Sequence, residues 1–248
     1  EKEKPQYIIH QAAQVSVPKS VENFMLDEKI NIKGSLNVIE AARKFNVEKI
    51  VYASSAAVYG EPAYLPVDIE HSINPQSPYG LSKYTVEKYL EIASNLYGIK
   101  YTALRYANVY GERQSSGEGG VITKFLYNLF NKLPLNIYGD GKQTRDFIHV
   151  DDVAEANIKA LYLGNNMTLN VSTGKETSLK EIVNCLKKYD QNITVNFMPP
   201  APGDIKESFL CNKLTKDVLK WNWNYDVSDE LFNLIKYYEN KSVPLEIG

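Results

Sequence analysis

The chain has 248 residues, 44% of them hydrophobic and 23% charged, with 28 Lys and Arg against 30 Asp and Glu. That size and balance fit a soluble globular protein able to bury a substantial core. A net charge of −2 without a dense basic run argues against binding nucleic acid or an anionic membrane through bulk electrostatics, and no window reaches the roughly 18 apolar residues of a membrane span.

The opening "EKEKPQ" has no signal-peptide character. "YIIHQAA" (7–13) then reads as a buried strand running into a loop of small residues. Apolar residues at helical spacing, among them Ile30, Leu36, Val38 and Ile39, predict a helix over about 20–45. "EKIVYASSAAVYG" (48–60) is a second buried strand that dissolves into small residues, and a proline-bearing loop follows over 61–77. A helix is predicted at about 79–97, and "YTALRYANVYG" (101–111) is a third strand-to-loop unit. Strand, helix, strand, helix, strand with connections of this length means a parallel sheet covered by helices.

After Glu112 the pattern changes. "QSSGEGG" leads to a helix near 121–132, and strands are predicted at 135–138 and 145–150. A helix near 151–163, a strand near 168–172, a helix near 178–189, a strand at 193–197 and two final helices complete the chain. The expected division is 1–115, carrying the dinucleotide-binding sheet, and 116–248, a smaller mixed lobe interleaved with it. Cys185 and Cys211 lie far apart without metal-ligand spacing and read as reduced thiols of a cytoplasmic protein, and no metal site is expected. A dinucleotide-binding sheet begins with a strand, a glycine-rich turn and a helix. Nothing in this chain matches that, so the sequence reads as starting inside the fold, with two βα units of about 30 residues each expected upstream.

"SPYGLSK" (77–83) carries the chemistry. Ser77 suits the cap and Pro78 the first helical position, so Tyr79 falls in the first turn, with Lys83 one turn on along the same face. Glu87, Glu91 and Ser94 fall on the polar face, and Gly80, costly inside a helix, suggests a ligand or neighbouring backbone close by. A phenol is a poor base at neutral pH, but a nearby ammonium and a helix N-terminus favour its phenolate. An amphipathic helix could carry such a pair by chance. Ser54 and Ser55, at the end of the second strand where open α/β sheets bind ligands, shift the reading toward a Ser–Tyr–Lys site that removes a proton from an alcohol while a nicotinamide takes the hydride. His10, in a buried strand, reads as a packed core histidine.

Together "HQAAQ" (10–14), "NIKGSLNVIEAA" (31–42), "VYASSAAVYG" (51–60), "SPYGLSK", "LRYANVYGERQ" (104–114), "PLNIYGDGKQTRDFIHVDDVAEAN" (134–157) and "PGDIKES" (202–208) resemble the extended short-chain dehydrogenase/reductase superfamily, in its NAD-dependent epimerase/dehydratase branch headed by UDP-glucose 4-epimerase. The resemblance spans nearly the whole chain. It implies a Rossmann-like doubly wound α/β sheet with a smaller substrate lobe, bound NAD, a UDP-sugar substrate and a homodimer built on the helices around 20–45 and 79–97.

By the same resemblance Tyr79 is the base, Lys83 its electrostatic partner and Ser55 the hydroxyl partner. Ala12, Ala13, Gln14, Asn31, Ser54, Tyr79, Lys83, Tyr106 and Ala107 are the implied cofactor contacts. Ser55, Asn108, Val121, Leu135, Ile137, Arg145, Asp204 and Ser208 are the implied substrate contacts, Arg145 because a guanidinium grips phosphate oxygens in a fork. Many relatives carry an arginine where this chain has Ala201. Dehydratases of the branch place an Asp–Glu pair after the strand-end hydroxyl. Here those positions are Ala56 and Ala57, so reversible oxidation at sugar C4, hence 4-epimerisation, is the expected chemistry. Small Ser208 leaves room for a 2-acetamido group. The alternatives are a nucleotide-sugar-binding protein without catalysis or NAD binding, and another NAD-dependent nucleotide-sugar enzyme such as a reductase or decarboxylase.

Overall fold

The computed structural model describes residues 3–114, 120–200 and 205–240. Strands β1 (Tyr7–His10), β2 (Lys49–Ser55) and β3 (Lys100–Tyr106) lie parallel. β2 is buried up to Ser54, as its unbroken apolar run requires when both faces are covered.

Between β1 and β2 the predicted single helix is broken. The segment forms α1 (Val17–Glu22), α2 (Phe24–Asp27), a π-helical stretch over Glu28–Lys33 and α3 (Gly34–Lys44). The break has a local cause. Asn23 leaves helical backbone (φ −144°, ψ 85°), and its side chain accepts the Leu26 amide at 3.0 Å, so it caps α2 instead of continuing α1. Helix α4 (Pro78–Tyr97) follows the sequence reading: Ser77 caps it by accepting the Gly80 amide at 3.1 Å, and Gly98 ends it at φ 71°.

The remaining elements are β4 (Asn108–Tyr110), α5 (Val121–Phe130), β5 (Leu135–Tyr138), β6 (Thr144–Arg145), β7 (Phe147–His149), α6 (Val150–Tyr162), β8 (Met167–Val171), β9 (Thr177–Ser178), α7 (Leu179–Tyr189), β10 (Val195–Met198), α8 (Lys213–Leu219) and α9 (Val227–Asn240). β8 pairs with β3, giving a four-stranded parallel sheet in the order β1-β2-β3-β8. The strand predicted at 145–150 is two short ones. β6 pairs antiparallel with β9 and β7 parallel with β4, and the buried Asp146 lies between them.

Two compact units result, neither continuous in sequence. One comprises Glu1–Tyr106, Ala154–Val171 and Cys211–Asn222; the other Ala107–Val153, Ser172–Leu210 and Trp223–Gly248. In the first, Ile39 and Ala42 of α3, Val86, Leu90 and Ala93 of α4, and Ile50, Tyr52 and Ala103 of the sheet form the core. In the second, α5, α7 and α9 close over β5 and β7 around Leu126, Leu135, Ile137, Ile182 and Leu231. Among the described residues no helix is long and apolar enough to cross a membrane.

Candidate active site

The chemistry-bearing residues of the first unit converge at the C-terminal ends of its strands. Ser55 ends β2, and its hydroxyl accepts the Ala57 amide at 3.1 Å, capping a short 3₁₀ turn over Ala56–Val58. Tyr79 is half-buried in the first turn of α4 and hydrogen-bonds the Ser55 side chain. Gly80 explains how the two elements come so close. A Cβ there would lie 2.5 Å from the carbonyl oxygen of Ala57, so the helix start and the turn after β2 touch backbone to backbone. Gly80→Ala is therefore expected to push Tyr79 away from Ser55. A displacement of about 1 Å costs on the order of 10²-fold in rate. Stability should fall by about 1–3 kcal/mol, because the clash is with backbone and restored helix propensity offsets only part of the overpacking. Steady-state kinetics beside a melting curve checks this, and a full-rate G80A variant would show that the contact is irrelevant.

Lys83 is 3% exposed and donates to the Ala53 carbonyl at 2.8 Å. Its ammonium lies 5.7 Å from the centre of the Tyr79 ring and 5.2 Å from that of Tyr52. Burial pulls it down to about 8, opposed by the charge of Asp27. Burial pushes Tyr79 up, the Ser55 hydrogen bond opposes this, and Asp27 adds to it. Burial thus favours the neutral phenol, against the expected bias toward phenolate. An ammonium has three N–H donors, and among the described residues one carbonyl takes a single bond. Such a donor set suits a ligand with vicinal hydroxyls.

Tyr106, at the end of β3, has its hydroxyl in a cluster. Gln11 donates to it at 3.0 Å and Asn157 at 2.8 Å, and Gln11 donates to the Asn157 oxygen at 2.8 Å. Burial pushes this phenol up to about 12. Ala12 is exposed, and Ala13 and Gln14 are half-buried on the loop after β1. That loop is tied down from behind. Asn31, 1% exposed in the π-helical stretch, accepts the Gln14 amide at 2.8 Å and donates to the Gln14 carbonyl at 3.0 Å. Its side chain is thus hydrogen-bonded within the protein and holds that loop, where a direct cofactor contact was expected. His10 is buried, with Nε2 2.9 Å from the Ser35 hydroxyl.

Ser54 also differs from the expectation of a cofactor contact. It is 2% exposed, and its hydroxyl donates to Glu87 Oε1 at 2.5 Å. Glu87, predicted on the polar face of α4, is 4% exposed and receives a fork from Arg105 of β3, Nε at 3.0 Å and Nη2 at 2.7 Å. The Arg105 guanidinium stacks on Tyr59 at 4.8 Å, and Tyr59 donates to Asn170 of β8 at 2.7 Å. Gln11, Asp27, Glu87, Arg105 and Asn157 were missed because each is defined by a partner distant in sequence. Glu87 stands one helical turn past Lys83, but that spacing alone does not separate it from the other polar residues of α4.

The second unit carries the other candidates. Asn108 donates to the Asp146 carbonyl through its backbone at 2.9 Å and its side chain at 3.0 Å. Val121 starts α5 and packs on the core. Leu135 and Ile137 are 0% and 1% exposed, so their side chains belong to the core, and their backbone runs in the ladder with β10, where the Leu135 amide donates to the Thr194 carbonyl at 2.9 Å. Arg145 is half-buried, and its Nη1 donates to the carbonyls of Thr144 and Ile205 at 2.8 and 2.6 Å. Ser208 is half-buried, Ala107 likewise, and Asp204 and Ala201 lie outside the described residues. The Asp146 carboxylate accepts Thr173 N and Oγ1, Gly174 N and Leu210 N at 2.7–3.2 Å, which anchors Leu210 beside the turn at Thr173.

Comparison with known proteins adds independent findings. The profile of the NAD dependent epimerase/dehydratase family matches residues 1–172. A protein of Methanocaldococcus jannaschii, provisionally named a UDP-glucose 4-epimerase, is 44% identical over 95% of this chain and 77% of its own length. Among solved structures, the UDP-glucose 4-epimerase of Thermotoga maritima with UDP-glucose superposes with a TM-score of 0.92 at 37% identity, covering 96% of this chain and 78% of that one. A UDP-N-acetylglucosamine 4-epimerase from Methanobrevibacter ruminantium, in complex with UDP-N-acetylmuramic acid, gives 0.91 at 34%, covering 95% and 77%. The α/β fold is therefore Rossmann-like, as expected.

Proposed function

From the premise that this chain belongs to the NAD-dependent epimerase/dehydratase family and is an enzyme, we propose that it interconverts UDP-glucose and UDP-galactose by inversion at sugar C4. The observation that carries this reading is the assembly of Ser55, Tyr79 and Lys83 next to Ala56 and Ala57, where an eliminating enzyme needs carboxyl groups.

Tyr79 is assigned as the base that takes the proton of the 4-hydroxyl and later gives it back. Ser55, already on Tyr79, hydrogen-bonds the same oxygen. Lys83 supplies positive charge behind the phenol, and its spare donors suit the ribose hydroxyls of the cofactor. Bound NAD would supply the reversible hydride acceptor that inversion at C4 requires. The residues assigned to hold it are Ala12, Ala13 and Gln14 on the loop that Asn31 pins, with Tyr106 and Ala107; Ser54 contributes by holding the strand end through Glu87.

Asn108, Val121, Arg145, Asp204 and the strand β5 that carries Leu135 and Ile137 are assigned to the nucleotide, and Ser208 to the sugar. A small residue at 208 leaves space for a 2-acetamido group, and a UDP-N-acetylglucosamine 4-epimerase is among the similar structures, so activity on the UDP-N-acetylhexosamine pair is expected too. Incubating the NAD-loaded enzyme with each of the four UDP-sugars and resolving the products by chromatography tests both parts. No exchange of the hexoses would overturn the proposal; hexose exchange without acetamido exchange would overturn only the second part.

The enzyme is further proposed to be a homodimer. Leu81, Tyr89, Ile92 and Leu96 form an exposed stripe on α4, and Val17, Val21, Phe24 and Met25 are exposed on α1 and α2, which pack along that helix. Exposed apolar area on this scale marks an interface. Leu96→Asp is expected to yield monomers in sedimentation, and an unchanged species would refute this interface.

A further inference from the structure

One buried carboxylate near the proton-transfer site has no role in the mechanism above. Asp27, the last residue of α2, is 1% exposed. Its Oδ1 accepts Gln14 Nε2 at 2.8 Å and Asn31 Nδ2 at 3.0 Å. Asn31 Nδ2 also donates to the Ser82 hydroxyl at 3.1 Å, and that hydroxyl donates to the Tyr79 carbonyl at 2.9 Å. One connected network therefore joins the loop after β1, the end of α2, the π-helical stretch and the first turn of α4. π-helical insertions are uncommon and gather at functional sites. Here the insertion places Asn31 Nδ2, which has two N–H donors, within hydrogen-bond reach of three acceptors.

A buried carboxylate that accepts two amide hydrogen bonds is expensive unless cations lie within reach. No salt bridge to Asp27 exists among the described residues, and the cation whose charge it feels is Lys83. Its field also reaches Tyr79 and Tyr52. The other groups facing this pair are Ser55 and Tyr52 of β2, His10 of β1 and Tyr106 of β3. Glu87, on α4 itself, is tied to Arg105. Glu28, Lys29 and Lys33 of the π-helical stretch, and Lys19 and Glu22 of α1, are exposed to solvent.

We propose that Asp27 is a positioning residue of the proton-transfer site: it clasps the loop after β1 through Gln14 and, as a fixed buried anion, sets the charge that Tyr79 and Lys83 carry. The proposal rests on the reading of Tyr79 as base and Lys83 as its partner. An anion at this place keeps Lys83 protonated, which the base needs, while restraining Tyr79 from ionising before a cationic ligand arrives. The phenolate then forms only in the loaded site.

The test is a tyrosinate absorbance titration of the intact enzyme without substrate, with Tyr79→Phe as the blank that isolates Tyr79. In Asp27→Asn, which keeps shape but removes charge, the Tyr79 midpoint is expected to fall by about one pH unit. The pH profile of kcat/KM should move toward acid on both limbs. A cooperatively folded D27N variant with the wild-type midpoint would overturn the proposal, because loss of hydrogen bonding alone leaves that midpoint in place. Should D27N not fold, Asp27→Glu carries the test: it keeps the charge and displaces the bonds, so its midpoint is expected at the wild-type value, and a fall would overturn the idea. The titration needs no UDP-sugar. A failure of turnover on UDP-hexoses would count against the proposed function and leave this result readable.

Discussion

Tyr79→Phe is expected to leave the fold intact and to reduce kcat on UDP-galactose by about 10²–10⁴-fold, the range that a positioned proton-transfer group contributes. The ring is half-buried and the change removes one oxygen, so the melting temperature should hold. KM should change little, because the sugar is to be held by its nucleotide. Burial pushes the Tyr79 phenol up, so on the acid side kcat/KM is expected to climb as pH rises and the ionised fraction of the base grows. On the alkaline side the climb should stop as Lys83, at about 8, loses its proton and no longer supports the phenolate. The Phe variant should lose the climb along with the rate. Steady-state kinetics across pH, beside a melting curve, decides it. Turnover within a few-fold of wild type would remove Tyr79 from the mechanism altogether.

Helix α4 could be read from the sequence because its determinants are local. Ser77, Pro78 and Gly98 mark its ends, and a period of 3.6 residues places Tyr79 and Lys83 together. The sheet strands β1, β2, β3 and β8 were equally plain as apolar runs, whereas the short β4 and β9 carry no such run and exist through pairing with β7 and β6. The break at Asn23 was local too, but a cap residue inside an apolar pattern gives no sign of whether it will be used. Burial of Glu87 could not be read, because on a helical wheel it lies with the polar residues. Its partner Arg105 stands on β3, adjacent only once the sheet has formed. Ser54 and Ser55 carried a clue that went unused: successive strand residues point to opposite sides, so both could not face the same ligand. The structure resolves the pair, Ser54 toward Glu87 and Ser55 toward Tyr79. Asp27 shows the same limit, since the loop and the helix it joins are brought together by tertiary folding.

Glu87→Ala is the substitution expected to cost the most stability, about 3–5 kcal/mol, because it strands a buried guanidinium. The Arg105 side chain is 6% exposed and that of Glu87 5%, so water cannot take over from the lost carboxylate. Burial works against the Arg105 charge, and the hydrogen bonds and charge of Glu87 more than reverse that, leaving it raised. The Ser54 hydroxyl loses its acceptor in the same step. The loss should persist at high salt, since buried pairs are weakly screened. Chemical denaturation of the single variants and of Glu87→Leu with Arg105→Met separates two roles for the pair. Replacing both partners by apolar groups removes the desolvation cost together with the attraction, so the double variant should recover most of the stability. If the pair serves only stability, the recovered protein should also recover its rate. The geometry argues otherwise: the pair and Ser54 fasten the ends of β2 and β3 to α4 one turn below Lys83, and Ser55 is the next residue along. The double variant is therefore expected to be stable yet slow by at least about tenfold, the effect of a sub-ångström misplacement of reacting groups. A Glu87→Ala loss below about 1 kcal/mol would mean that the pair is not desolvated as described, and a full-rate double variant would reduce it to packing.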